Sequence, residues 1–280
     1  MKLKCIDTHQ HFWEYNPQSH TWISDEMSAL KRDFLPSDLE NILNANDVDG
    51  CIAVQADQSE AETDFLLALA NDNDFIKGIV GWVDLQASNI EECLESYASH
   101  EKLLGFRHIV QSEPDPEFML KPSFMNGISL LRQYGYTYDI LIYQHQLKSA
   151  IALAETFPEQ KFVLDHIAKP NIKNKEIEQW QDDIDALAKS ENVSVKISGM
   201  VTEAHWKEWK EADFAPYMDI ALNSFGTKRI MFGSDWPVCL TAAEYAEVKN
   251  IFTKYISSYS IQEQEDMLFR NAINFYNLKL

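Results

Sequence analysis

The strongest constraint on this chain is a rhythm. Eight short apolar runs, each of strand length, alternate with stretches of helical spacing from one end to the other. The runs are Leu3–Thr8, Gly50–Gln55, Ile76–Val83, Leu103–Val110, Thr137–Tyr143, Lys161–Asp165, Val193–Ile197 and Arg229–Phe232. Helices are predicted over 36–45, 59–73, 88–99, 122–134 and 146–156, through Trp180 to Ala188, and over 205–225, 242–255 and 261–269. Ser59 with Glu60 and Glu62, and Ser88-Asn89 with Glu91, look like capped helix starts. Strict alternation of strand and helix calls for a parallel sheet. Eight repeats in 280 residues fit a closed (β/α)8 TIM barrel, which needs about 250. Thr8–His11 contains no Gly, so the phosphate loop of a dinucleotide-binding sheet is not there. No Pro-, Gly- or Ser-rich linker divides the chain, and a single α/β domain over 1–280 is expected. The segment from Phe12 to Phe34 has no clean period and reads as a long loop, a common form for a functional lid.

Charge narrows the partners. Lys and Arg number 24 against 44 Asp and Glu, a formal net charge of -20. Such a surface repels nucleic acid and anionic membranes. No run reaches the length of a membrane span, no basic-then-apolar leader opens the chain, and the four cysteines form no C-x-x-C pair. The expectation is a cytoplasmic protein that handles a small molecule, with a homo-oligomer left open.

In a barrel of this kind, function gathers at the C-terminal ends of the strands. Those ends are rich in imidazole and acid. The first carries His9 and His11, two residues apart and therefore on one side of a strand. The fourth ends in Arg107-His108, the fifth runs into Tyr143-Gln144-His145, and the sixth ends in Asp165-His166. The seventh carries Lys196 and Ser198, and the eighth leads to Asp235-Trp236. Each has a plainer reading: His145 or Asp235 as a helix cap, Lys196 as a solvated strand end, Asp165 as a group that orients a neighbour. Convergence on one rim is what favours a site.

A carboxylate facing imidazoles can act as general base toward water. With one divalent metal, zinc, His9, His11 and Asp235 would be the ligands, joined by His166 or His145, and the ion would acidify its water and polarise a carbonyl. Without a metal, Asp235 still takes a proton from water while His166, Arg107 and His145 hold the carbonyl. The fourth strand ends in Arg-His and offers no Lys as a bridging ligand, so at most one metal is expected. Trp13, Trp22, Tyr143 and Trp236, with His108, flank the rim and could receive a sugar ring. Of the five Arg, only Arg107 lies at a strand's C-terminal end, which favours a neutral polyol over a dicarboxylate.

The segments Asp7-Thr8-His9-Gln10-His11-Phe12-Trp13, Gly105-Phe106-Arg107-His108, Val163-Leu164-Asp165-His166-Ile167-Ala168-Lys169-Pro170, Val195-Lys196-Ile197-Ser198-Gly199 and Met231-Phe232-Gly233-Ser234-Asp235-Trp236-Pro237 occur in order along nearly the whole chain. Together they resemble the amidohydrolase superfamily, in its sugar-lactonase branch of metal-dependent hydrolases. The resemblance implies a (β/α)8 barrel that hydrolyses a lactone, of L-fuconate type. By it, His9 and His11 match the first-strand pair, His145 and His166 the fifth- and sixth-strand histidines, and Asp235 the eighth-strand aspartate. A decarboxylase, a dicarboxylate-lactone hydrolase, and a silent barrel that only binds a sugar acid are the rival expectations.

Overall fold

A computed structural model describes residues 3–279. Strands β1 (Ile6–Gln10), β2 (Gly50–Val54), β3 (Ile76–Gly81), β4 (Leu103–His108), β5 (Thr137–Ile140), β6 (Phe162–Leu164), β7 (Val193–Ile197) and β8 (Ile230–Phe232) lie side by side in chain order, each pair parallel. The seam between β8 and β1 is closed just beyond β8. There Gln10 bridges to Trp236, Asp235 N donates to His9 O at 2.8 Å, and His11 N donates to Trp236 O at 2.7 Å. Eight parallel strands therefore form a nearly closed TIM barrel. The observed strands are shorter at their C-terminal ends than most of the apolar runs suggest. The trailing residues, such as Leu141 and Ile109, turn outward to line the mouth.

Helices α1 (Pro36–Ala45), α2 (Glu60–Asp72), α3 (Ile90–Tyr97), α4 (Pro122–Leu131), α5 (Leu147–Thr156), α6 (Glu178–Leu187), α7 (Glu211–Phe225) and α8 (Tyr245–Tyr255) follow the strands in turn. Pro36 and Pro122 occupy first-turn positions, where a missing N–H costs nothing. Ser59 Oγ accepts from Glu62 N at 3.2 Å and caps α2 as expected. The cap expected at Ser88-Asn89 does not form: the Asn89 side chain makes no cap bond, and its Nδ2 donates to Cys93 Sγ at 3.6 Å. Two helices start later than the pattern implies: 201–210 and 238–244 are mostly short turns and loops that dress the barrel mouth. The C-terminal helix runs further than its pattern, as α9 (Ile261–Glu265), a π-helical turn over Asp266–Arg270, and α10 (Asn271–Tyr276).

Two apolar clusters hold this together. The larger lies between the strands and the surrounding helices. The smaller joins Ile6, Ile52, Val54, Val80, Leu104, Val163 and Met231 from the strands to Phe275, Tyr276 and Leu278. The C-terminal helix thus stoppers the barrel, leaving its opposite end for polar groups. Among the described residues, no helix is long and apolar enough to cross a membrane.

Candidate active site

The open end of the barrel holds a cavity of about 450 Å³. His11, Arg107, His166 and Asp235 line it from four strand ends, with Trp22, Met27, Tyr143, Lys169, Glu203 and Trp206 on its walls. The Asp235 carboxylate is its focus. Oδ1 stands 3.3 Å from His11 Nε2 and 3.9 Å from both His9 Nε2 and His166 Nε2. The His9 ring lies 4.9 Å from that of His11 and 4.3 Å from that of His166. Asp235 has φ +58, a left-handed conformation that Asp tolerates better than most residues. Its carboxylate faces the imidazoles, so the plainer reading as a helix cap does not describe it.

Each imidazole is aimed by a partner behind it. His11 Nδ1 lies 2.7 Å from the Val54 carbonyl, which can only accept, so the proton sits on Nδ1. His9 Nδ1 faces Asp165 Oδ1 at 3.2 Å, and His166 Nδ1 faces Ser198 Oγ at 2.8 Å. Burial drives the His9 and His166 pKa values well below the ordinary range, so both rings are neutral near pH 7. Burial pushes Asp235 upward, but His166 and His11 more than offset it and leave the carboxyl below its usual value.

Beneath these rings lies a fully buried layer of charge. Arg107 Nη1 donates to Asp165 Oδ2 at 3.1 Å and reaches His9 Nε2 at 3.2 Å, while Nη2 donates to the Gln55 carbonyl. Lys196 Nζ pairs with Asp139 Oδ2 at 2.5 Å and with Asp165 Oδ1 at 3.0 Å. Burial raises Asp165, but His9, Lys196 and Arg107 together hold it well below the carboxylate range. Lys196 is 0% exposed, so the expectation of a solvated strand end is corrected: a cation there is kept inside by two carboxylates. Asp165 lies behind His9 and pairs with both Arg107 and Lys196.

His9, His11 and Asp235 offer three ligand atoms within 4.8 Å of one another. Both Nδ1 atoms are engaged by an acceptor behind the ring, which leaves His9 Nε2 and His11 Nε2 facing the Asp235 carboxylate. Such partners behind each ring are the usual support for a metal ligand. These residues therefore fit a divalent ion.

His166 reaches the cavity by an unusual route. Four successive residues, His166, Ile167, Ala168 and Lys169, have positive φ, between +48 and +60. A left-handed run costs about 1–2 kcal/mol per residue, roughly 4–8 kcal/mol in all. Its surroundings hold it. Ile167 and Ala168 are fully buried, Trp180 Nε1 donates to Ile167 O at 2.8 Å, and Lys169 N donates to His166 O at 2.8 Å. Gly199 is required alongside, since a Cβ there would fall 2.6 Å from His166 Nδ1. In so tight a turn, residues three apart share a face. That brings Lys169 onto the same wall as His166, which no local pattern in the sequence announces.

Several expected participants stand elsewhere. His145 is exposed and stacks on Tyr143 at 6.2 Å, outside the cavity wall. The fifth strand ends at Ile140, so the chain has already turned outward by the time it reaches this histidine. His108 is bound to Glu113 at 2.8 Å and to Trp82 Nε1 at 3.3 Å, and its ring packs on Phe118 at 4.8 Å. Trp13 and Trp236 are each 1% exposed. Trp13 donates to Arg32 O and packs on Phe34, and Trp236 packs on Phe12 and Phe34, so neither offers a face to a ligand. The expected contacts of His145, His108, Trp13 and Trp236 with substrate are thereby corrected. Trp22 and Tyr143, 38% and 39% exposed, remain at the mouth. The residues that sequence reasoning missed are Lys169, Glu203 and Trp206.

Comparison with known proteins places the chain in a family. The amidohydrolase family model matches residues 6–278. An L-fucono-1,5-lactonase of Burkholderia multivorans is 38% identical over 90% of this chain and 88% of its own length. Another L-fucono-1,5-lactonase, from Burkholderia ambifaria, is 32% identical over 86% of this chain and 83% of its own. The crystal structure of an amidohydrolase from Burkholderia multivorans with bound zinc superposes with a TM-score of 0.95 at 37% identity, covering 98% of this chain and 99% of the other. The family model spans nearly the whole chain, from the first strand to the C-terminal helix, and this chain belongs to the amidohydrolase family.

Proposed function

We propose that the protein opens a sugar-derived lactone of the L-fucono-1,5-lactone type to the corresponding sugar acid. One observation carries the reading. A buried, ionised Asp235 meets three imidazoles at the floor of a cavity whose mouth is walled by aromatic rings. Curated relatives with that activity, at 38% and 32% identity over most of the chain, support it.

The residues divide the work as follows. Asp235 accepts a proton from water as the water oxygen bonds to the lactone carbonyl carbon. Ser198 can donate to His166 Nδ1, which puts the His166 proton on Nε2, facing the cavity. His166 Nε2 and the Arg107 guanidinium then donate to the oxyanion that forms. Asp235 returns its proton to the ring oxygen as the carbon–oxygen bond breaks, releasing an open-chain hydroxy acid. His9, His11 and Asp235 would hold one divalent ion, for which we propose zinc, and such an ion acidifies water and polarises a carbonyl. Trp22 and Tyr143 would cover the C–H faces of the sugar ring.

The test is acid release from a panel of aldonolactones, followed with a pH indicator. Carbon dioxide release from an aromatic acid with no lactone opened would instead identify a decarboxylase. Binding of sugar acids without turnover, under any metal condition, would identify a silent barrel.

A further inference from the structure

One charged pair on the cavity wall is not used by the hydrolytic chemistry. Lys169 Nζ and Glu203 Oε1 stand 3.9 Å apart, with side chains only 16% and 22% exposed. That separation is too long for a direct hydrogen bond. Among the described residues, neither the Lys169 ammonium nor the Glu203 carboxylate makes any other side-chain hydrogen bond. Lys169 otherwise sits 5.7 Å from the centre of the Tyr143 ring. Burial raises the Glu203 pKa, the mark of a carboxyl that lacks donors around it. Both charged ends line the cavity, so the partners they lack must come from whatever occupies it.

The gap selects its occupant. An oxygen placed between the two groups can lie about 2.8 Å from each. It must accept from the ammonium and donate to the carboxylate at once. A hydroxyl does both. A second carboxylate would be repelled by Glu203, and a hydrocarbon would leave both charges unpaired. Trp206 lines the same cavity, and its Nε1 already donates to Thr202 O at 2.9 Å, so its indole has no donor left for a ligand. The pair is also rigidly tied to the chemistry. Lys169 shares the left-handed turn of His166, and its charge is felt at both His166 and Asp235.

Resting on the lactonase reading, we propose that Lys169 and Glu203 together grip one ring hydroxyl of the lactone and so decide which stereoisomer is opened. A ring with that hydroxyl inverted leaves both charges unpaired, or shifts its carbonyl away from Asp235. The experiment compares L-fucono-1,5-lactone with the 1,5-lactones that differ from it by inversion of one ring hydroxyl. Wild type, Lys169→Met and Glu203→Leu are measured for kcat/KM on each. The wild type should prefer one isomer over at least one epimer by about a hundredfold or more. Both variants should compress that ratio at least tenfold, mostly through the loss on the preferred isomer. Thermal unfolding checks that each variant is folded, and Glu203→Gln replaces any that is not, with the same compression expected. A wild type that opens all epimers alike overturns the proposal. So does a variant that loses activity equally on every isomer, or on none. A wild type that opens no lactone at all removes the lactonase reading, and the hydroxyl grip with it.

Discussion

Replacing Asp235 by Asn separates the chemistry of the site from its architecture. The carboxamide has the same shape, and Asn is at least as tolerant of the left-handed φ of +58 at this position. The backbone bonds of residue 235 to His9 and Cys239 do not involve the side chain. What disappears is the base. A positioned general base contributes about 10²–10⁴ in rate, so kcat on L-fucono-1,5-lactone should fall by that factor, about 3–5 kcal/mol of barrel-mouth chemistry. Stability should fall only slightly. The folded environment holds the Asp235 carboxyl below its usual value, so its charged form contributes stability at neutral pH that the carboxamide lacks. Chemical unfolding of Asp235→Asn at about pH 7 should therefore give a free energy below that of wild type by about 1 kcal/mol or less. The assay is the pH-indicator rate, paired with urea unfolding of the same preparations. Wild-type-like kcat in a folded Asp235→Asn protein would refute the role of Asp235. A drop in stability of several kcal/mol would refute the account of its environment.

The pH profile gives a second check. Asp235 must be ionised to act, and its carboxyl lies below the usual value, so activity should persist as pH falls until below about 4. Burial holds His166 well below its ordinary value, so it adds no step near 6.5; an acid limb of kcat/KM centred near 6.5 would contradict both. Lys196→Met should destabilise the fold by about 3–5 kcal/mol, because Asp139 and Asp165, each 0% exposed, lose their shared cation, and adding Asp139→Asn should recover part of that loss. Denaturation midpoints report it, and a change under about 1 kcal/mol would show that the layer does not depend on Lys196. Elemental analysis should find one zinc per chain, absent from His11→Ala. Zinc at a hundred times its Kd should stabilise wild type by about 2.7 kcal/mol and leave His11→Ala unmoved.

Much of the barrel was legible because its signals are local. A run such as Gly50–Gln55 is apolar on nearly every position, as a strand covered on both faces must be, and it appears as Gly50–Val54, buried throughout. His9, His11, His166, Arg107 and Asp235 could be placed on one rim because strand ends in a parallel barrel all point the same way. Where the sequence misled, the cause was long range. Trp13 and Trp236 have the residue type of a sugar platform, but type carries no information about burial, and both became packing between the first loop and the eighth strand end. His145 sits where an outward bend carries it away, a bend decided by how β5 ends against its neighbours.

Strand order, the barrel's polarity and the convergence of imidazoles on an acid followed from the one-dimensional pattern, because apolar periodicity dictates which face of each element is buried. Three things needed the assembled tertiary structure: the burial of Lys196 between two carboxylates, the left-handed turn at His166–Lys169, and the facing of Lys169 to Glu203. Each is a conformation or charge state that its own segment would not adopt alone. Only the packing of distant residues such as Trp180, Gly199 and Asp139 around it makes that state the lower in free energy.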